Sequence, residues 1–206
     1  MRPESTKRSK RQPLEIEVKL KIRNLQRLRR NLLELGCTVK APRSLEQNWT
    51  WDFPGHLLRQ KGELLRVRQF AGHGLLTFKG PAQQSQHFKI REEQETEVQD
   101  PAILGVILQR LGLEAAFCYE KFRTSYLLRI PGQRHPVSLS VDETPIGNYL
   151  EIEGREADIH QVAAQLGFEK EAFIKESYLA LFAKSRLRRS QTHMIFPKAK
   201  QRSRGV

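Results

Sequence analysis

Residues 14–23 read LEIEVKLKIR, and the alternation has no break. Leu14, Ile16, Val18, Leu20 and Ile22 fall on one side, and Glu15, Glu17, Lys19, Lys21 and Arg23 on the other. A period of two puts every ionic group on one face of a β-strand. The pattern recurs: Arg66 and Arg68 oppose Leu65 and Val67, Lys79 opposes Phe78, Lys121 and Arg123 oppose Phe122, and Glu151 and Glu153 oppose Leu150 and Ile152. A solvated face explains any one such strand. It does not explain the set. Like charges at i and i+2 repel unless a ligand or an opposite charge lies between them, and pairs of both signs recur along the chain. The helices each show one apolar stripe, so they need the apolar strand faces to pack on. The ionic faces must then look at one another across a lumen. The expected fold is α+β: an antiparallel β-barrel, a tunnel with a polar interior, flanked by helices.

The remaining elements fit this plan. Asn24 opens a helix over 25–35 that stops at Gly36, and strands are expected over 45–53, 63–70, 75–80, 88–98, 117–130, 136–142 and 147–154. Ala71–Gly74 reads as a hairpin connection. Asp100-Pro101 starts a helix running to Leu111, and further helices are expected over 157–166 and 174–184. Trp49 and Trp51 share a strand face and read as packing residues. Asp158 on its helix and Glu120, turned away from Lys121, read as exposed charge.

Charge divides the chain. The 206 residues carry a formal net charge of +13, with 36 Lys and Arg against 23 Asp and Glu. Residues 1–13 hold five bases and one acid, residues 185–206 seven bases and no acid, so the tails account for most of the excess. Both tails are expected to be basic and disordered, with the folded domain over 14–184. Nucleic acid binding is an expectation for the tails only. No apolar run approaches the roughly 18–20 residues of a membrane-spanning helix, and the basic N-terminus is not followed by a signal-type apolar segment. A cytoplasmic location is the default. Cys37 and Cys118 lack disulfide, zinc or redox spacing and read as small apolar residues.

A lumen of this composition has a specific chemistry. Convergent Lys and Arg form charge-assisted hydrogen bonds to phosphate oxygens, and clustered carboxylates hold hard divalent cations such as Mg²⁺ or Mn²⁺. Buried alone, neither set is tolerable; with a polyphosphate and a metal the charges balance. No GxxxxGK[ST] phosphate loop occurs, so side chains must hold the phosphate.

Glu15-Ile16-Glu17-Val18-Lys19 is an ExExK element. It is followed by Arg66 and Arg68, Thr77-Phe78-Lys79-Gly80-Pro81, Arg91 with Glu93 and Glu95, Lys121-Phe122-Arg123, Asp142, and Glu151-Ile152-Glu153-Gly154. This order resembles the CYTH superfamily, the triphosphate tunnel metalloenzymes, over roughly residues 14–182. The KGP segment, EKFRTSY at 120–126 and Ser177-Tyr178 resemble the class IV adenylate cyclase branch most closely. The resemblance implies Glu15, Glu17, Glu151 and Glu153 as metal ligands, with Asp142 beside them. It implies that Lys19, Arg66, Arg68, Lys79, Arg91, Lys121 and Arg123 cradle a triphosphate, and that Glu93 and Glu95 hold another cation or orient a water. Lys19, Arg68, Arg91, Glu93 and Glu95 would be the catalytic set, and Mg²⁺ or Mn²⁺ the cofactor. The substrate would be ATP or tripolyphosphate. Two outcomes stay open: cyclisation of ATP to cyclic AMP and pyrophosphate, or hydrolysis of an inorganic, nucleoside or thiamine triphosphate. The family also implies a homodimer.

Overall fold

The computed structural model describes residues 14–189 and 192–197. Eight strands run in the chain as β1 (Leu14–Ile22), β2 (Thr38–Asp52), β3 (Leu64–Phe70), β4 (His73–Lys79), β5 (Lys89–Val98), β6 (Glu114–Leu128), β7 (Val137–Thr144) and β8 (Gly147–Glu153). They close in the order β1-β5-β4-β3-β2-β6-β7-β8, with antiparallel pairing throughout. The expected antiparallel barrel is the observed one.

The helices cover its outside. Helix α1 (Leu25–Glu34) is capped by the Asn24 side chain, which accepts from Arg27 N at 2.9 Å. Leu28 and Leu32 of α1 join Val18, Leu20, Leu139, Leu150 and Ile152 in the main core, where α4 (Glu156–Gln165) adds Ile159 and Val162. Helix α2 (Leu57–Gln60) is a single turn. Helix α3 (Pro101–Arg110), capped by Asp100, packs Leu104 and Leu108 against Trp51 and Val67. Helix α5 (Tyr178–Lys184), capped by Ser177, contributes Tyr178 and Phe182 to an aromatic cluster with Phe117, Tyr119 and Tyr149.

Several boundaries differ from the sequence expectation. Strand β2 begins at Thr38 rather than 45, with register shifts near Ala41 that the alternation does not reveal. Helix α5 starts at Tyr178 rather than 174, because Ile174 exchanges backbone hydrogen bonds with Lys19. Asp158 is buried rather than exposed and pairs with Arg155 at 2.7 Å. Glu120 does face away from Lys121, yet it is buried, accepting from Gln47 Nε2 at 3.0 Å and Phe196 N at 3.1 Å.

The last difference moves the C-terminal boundary. Beyond 184 the chain forms a short 3₁₀ turn (Arg186–Arg189), and Met194 bridges to Tyr119 and is fully buried. Met194 N donates to Cys118 O, and Glu120 N donates to Met194 O. This segment therefore covers the stretch of β6 that β7 does not reach. The rest of the expected tails, 1–13, 190–191 and 198–206, lies outside the described residues.

Candidate active site

The inward positions of the strands enclose a cavity of about 730 Å³. Its wall includes Glu15, Glu17 and Lys19 of β1, Arg66 and Arg68 of β3, and Lys79 of β4. Arg91, Glu93 and Glu95 of β5, Lys121 and Arg123 of β6, and Glu151 and Glu153 of β8 bring the expected residues on this wall to thirteen of fourteen. Register explains the convergence. Glu17 lies opposite Glu153 and Lys19 opposite Glu151 on β8, while Glu15 lies opposite Arg91 on β5.

Most of these cations have an acid beside them. Lys19 meets Glu151 at 2.9 Å, Lys79 contacts Glu15 and meets Glu93 at 3.1 Å, and Arg68 meets Glu95 at 2.8 Å. Lys89 pairs with Glu17. Arg66 donates to Tyr119 and Thr77 at 3.4 Å each. Arg123 contacts Glu151 and forms a two-point pair with Asp142, both bonds 2.6 Å.

Two expected site residues take different positions from the others. Asp142 does not line the cavity. It is fully buried behind Lys121 and Arg123, and its Oδ2 also accepts from the Tyr178 hydroxyl at 2.7 Å. Its oxygens are committed to orienting two cations. Arg91 donates from Nε to Gly80 O at 2.6 Å and from Nη2 to Gly62 O, so its guanidinium ties together the two loops that follow α2 and β4.

The alternation also carried residues that motif reasoning passed over. Glu46 and Asn48 share the polar face of β2 with Thr50 and Asp52. Glu46 is fully buried, 3.2 Å from Lys121 and 3.7 Å from both Arg68 and Arg123. Lys89 belongs to the same inward series as Arg91, Glu93 and Glu95. Tyr178, which no charge alternation singles out, places its ring 4.6 Å from Lys19 Nζ and 5.0 Å from Lys121 Nζ.

Electrostatics divide the carboxylates. Burial, reinforced by the charge of Glu17 and by Glu93, pushes Glu15 up to about 8 despite Lys79. Burial acts the same way on Glu17, but the Lys89 ammonium outweighs it and holds that group at about 2. Glu151 is held well below the carboxylate range, with Lys19 and Arg123 overcoming its burial. Glu153 is raised by desolvation and by Glu17. Among the described residues no three acidic, histidine or cysteine side chains stand grouped to grip a metal, and Glu15, Glu17 and Glu151 each lean toward a cation. The chemistry of the donor set nonetheless fits a hard divalent ion. All donors are carboxylate oxygens, and a divalent charge beside them would offset the burial and the neighbouring carboxylates that raise Glu15 and Glu153.

Comparison with known proteins agrees with this geometry. The family profile described as "CYTH domain" matches residues 13–190. A protein of Methanocaldococcus jannaschii named "Putative adenylate cyclase" is 25% identical over 179 residues, 82% of this chain and 98% of its own length. Among solved structures, a Vibrio parahaemolyticus protein described as a "putative adenylate cyclase" superposes with a TM-score of 0.69 at 20% identity, covering 82% of this chain and 98% of that one. A Hippeastrum protein, described as a "putative adenylyl cyclase" that reveals a dominant triphosphatase activity, superposes with a TM-score of 0.61 at 20% identity, over 82% of this chain and 95% of its own.

Proposed function

Because the chain belongs to the CYTH domain family, we propose that it is a metal-dependent enzyme that acts on triphosphates, with ATP cyclisation to cyclic AMP and pyrophosphate as its reaction. One observation carries this reading: a 730 Å³ cavity whose walls hold lysines, arginines and carboxylates in paired rows. A cavity of that size suits one small-molecule ligand, and its cations suit an extended chain of phosphates.

Lys19, Arg66, Arg68, Lys79, Lys121 and Arg123 would bind the phosphate oxygens. Asp142 and Tyr178 hold Lys121 and Arg123 so that their donors are aimed before substrate arrives, which is where electrostatic catalysis gains most. Glu15, Glu17, Glu151 and Glu153 would hold Mg²⁺ or Mn²⁺, which supplies charge neutralisation at the phosphates. In cyclisation the ribose 3′-oxygen forms a bond to the α-phosphorus, the bond to the β-phosphate bridging oxygen breaks, and pyrophosphate leaves. The hydroxyl proton passes to a carboxylate or water. Glu93 or Glu95 is the acceptor this wall offers on the β5 side.

Triphosphate hydrolysis is the second reading, favoured by the activity stated for the Hippeastrum protein. The same cations serve it, with water as nucleophile. A cytoplasmic setting suits both reactions and the two free cysteines, Cys37 and Cys118. Among the described residues no helix is long and apolar enough to cross a membrane. The deciding experiment incubates the protein with ATP or tripolyphosphate and Mg²⁺ or Mn²⁺ and separates the products. Cyclic AMP with pyrophosphate supports the first reading, orthophosphate the second, and the absence of any triphosphate turnover rejects both.

A further inference from the structure

The inward rows of β3 and β4 do not stay ionic. Phe70 ends the row that holds Arg66 and Arg68, and Leu75 lies directly opposite Arg68 in the β3–β4 register. Both line the cavity and are half-buried, yet among the described residues neither joins an apolar core. Phe70 stacks on no other described ring. A lumen that held phosphate alone would have no use for two large apolar side chains beside a guanidinium.

Across the cavity the wall is neutral and polar. Ser125 lies opposite Ser140 in the β6–β7 register, and Ser138 and Ser140 lie opposite Glu153 and Glu151 on β8. All three serines line the cavity half-buried, and among the described residues none of their hydroxyls has a hydrogen-bond partner. Strands β3 and β6 both pair antiparallel with β2, so they run the same way. Phe70 follows Arg66 and Arg68, as Ser125 follows Lys121 and Arg123. The apolar and hydroxyl-bearing arcs therefore lie past the same end of the cation rows, with Ala41 and Pro42 of β2 between them.

This order of surfaces asks for a ligand in three parts: anion for the cations, hydroxyls for the serines, and a flat ring for Phe70 and Leu75. Tripolyphosphate has only the first, and thiamine triphosphate has rings but no sugar. We propose that this end of the cavity is a nucleoside subsite, in which the base packs on Phe70 and Leu75 and the ribose hydroxyls bond to Ser125 and Ser140. The inference rests on the reading of the cavity as a triphosphate site and adds what the α-phosphate carries.

Calorimetry on the full chain with Mg²⁺ tests this, using analogues of ATP and tripolyphosphate in which methylene groups replace both bridging oxygens between phosphorus atoms, so that neither is cleaved there. The wild type should bind the ATP analogue at least about tenfold more tightly than the bare triphosphate analogue, as base stacking on an aromatic ring provides. Phe70→Ser should erase most of that ratio and Phe70→Trp should keep it, which separates the ring contact from a change in fold. Removing both ribose hydroxyls from the ATP analogue should weaken wild-type binding about fivefold or more, with little effect in Ser125→Ala/Ser140→Ala. Equal affinity for the two analogues, a preference that survives Phe70→Ser, or a hydroxyl effect unchanged by the serine variants overturns the subsite and leaves the triphosphate reading standing. Binding of neither analogue rejects both.

Discussion

Glu46 Oε1 lies 3.2 Å from Lys121 Nζ, and neither side chain reaches solvent. Glu46 also stands 3.7 Å from Arg68 and Arg123, so one carboxylate offsets three of the cations expected to meet phosphate. Removing one partner of a buried pair costs about 3–5 kcal/mol because the other charge is stranded. Glu46→Gln should therefore lower the melting temperature of the ligand-free protein by roughly 6–20 °C. Tripolyphosphate should restore more of that loss than it adds to the wild type, because the freed cations gain an anion. Thermal melts with and without tripolyphosphate measure both effects; an unchanged melt or an equal ligand shift would show that Glu46 is not the resident counter-charge.

Tyr178 connects the aromatic cluster to the cavity wall. Burial, together with the Asp142 charge, holds its phenol well above the ordinary range, so it remains a donor to Asp142. Tyr178→Phe removes that bond and should cost about 1–3 kcal/mol of stability. Asp142 keeps Lys121 and Arg123 as partners, so the fold survives. With two cations less well aimed, kcat should fall by about tenfold or more, against a smaller change in KM. A kcat equal to wild type would remove Tyr178 from the positioning of the site.

The acid limb of stability should depend on Glu143. Burial alone would raise this carboxyl, but the hydrogen bond and charge of Arg43, with Arg29 beside it, bring it below the usual range. Arg43 Nε and Arg29 Nη2 approach Glu143 at 2.8 and 2.7 Å, tying β2 and α1 to β7. A depressed carboxyl stabilises the fold above its unfolded value, about 4.3, and loses that contribution as the pH falls through the lower folded value. Glu143→Gln should be about 1 kcal/mol less stable than wild type at pH 7, after allowance for partial exposure. The gap should close in the acid limb. Urea titrations at several pH values check this, and a gap that does not depend on pH would contradict it.

The β3–β4 hairpin carries a local cost. Ala71 has φ of 50° and Gly72 φ of 82°, so a residue with a Cβ occupies a left-handed position in the turn. Ala71→Gly or Ala71→Asn should stabilise the protein by about 0.5–1 kcal/mol. Denaturant midpoints read the change, and a loss of stability in both variants would show that the turn needs the alanine methyl.

The sequence made the tunnel legible because side-chain direction in a strand follows from backbone geometry alone. Once Glu15 and Glu17 alternate with Ile16 and Val18, the side each group takes is fixed, and thirteen of the fourteen expected site residues do line the cavity. Glu46 and Asn48 obeyed the same rule, but between Leu45, Trp49 and Trp51 their strand read as packing. Asp142 had the right parity, yet parity does not reveal that two bases and a phenol fill its oxygens. The register shifts of β2 and the burial of Met194 were out of reach. Met194 joins Tyr119 from 75 positions away, within a run whose basic composition points to disorder. Contacts of that kind depend on where the strands end, not on periodicity.

The most direct test of the central claim is the rate of triphosphate consumption by the full chain with Mn²⁺, compared with Glu17→Ala and Arg123→Ala of confirmed fold. If the paired walls of the cavity perform the chemistry, the wild type turns over ATP or tripolyphosphate, chelation abolishes the rate, and each variant loses about 100-fold or more. Variants as active as the wild type, or a wild type whose rate is indifferent to chelation, would contradict the account.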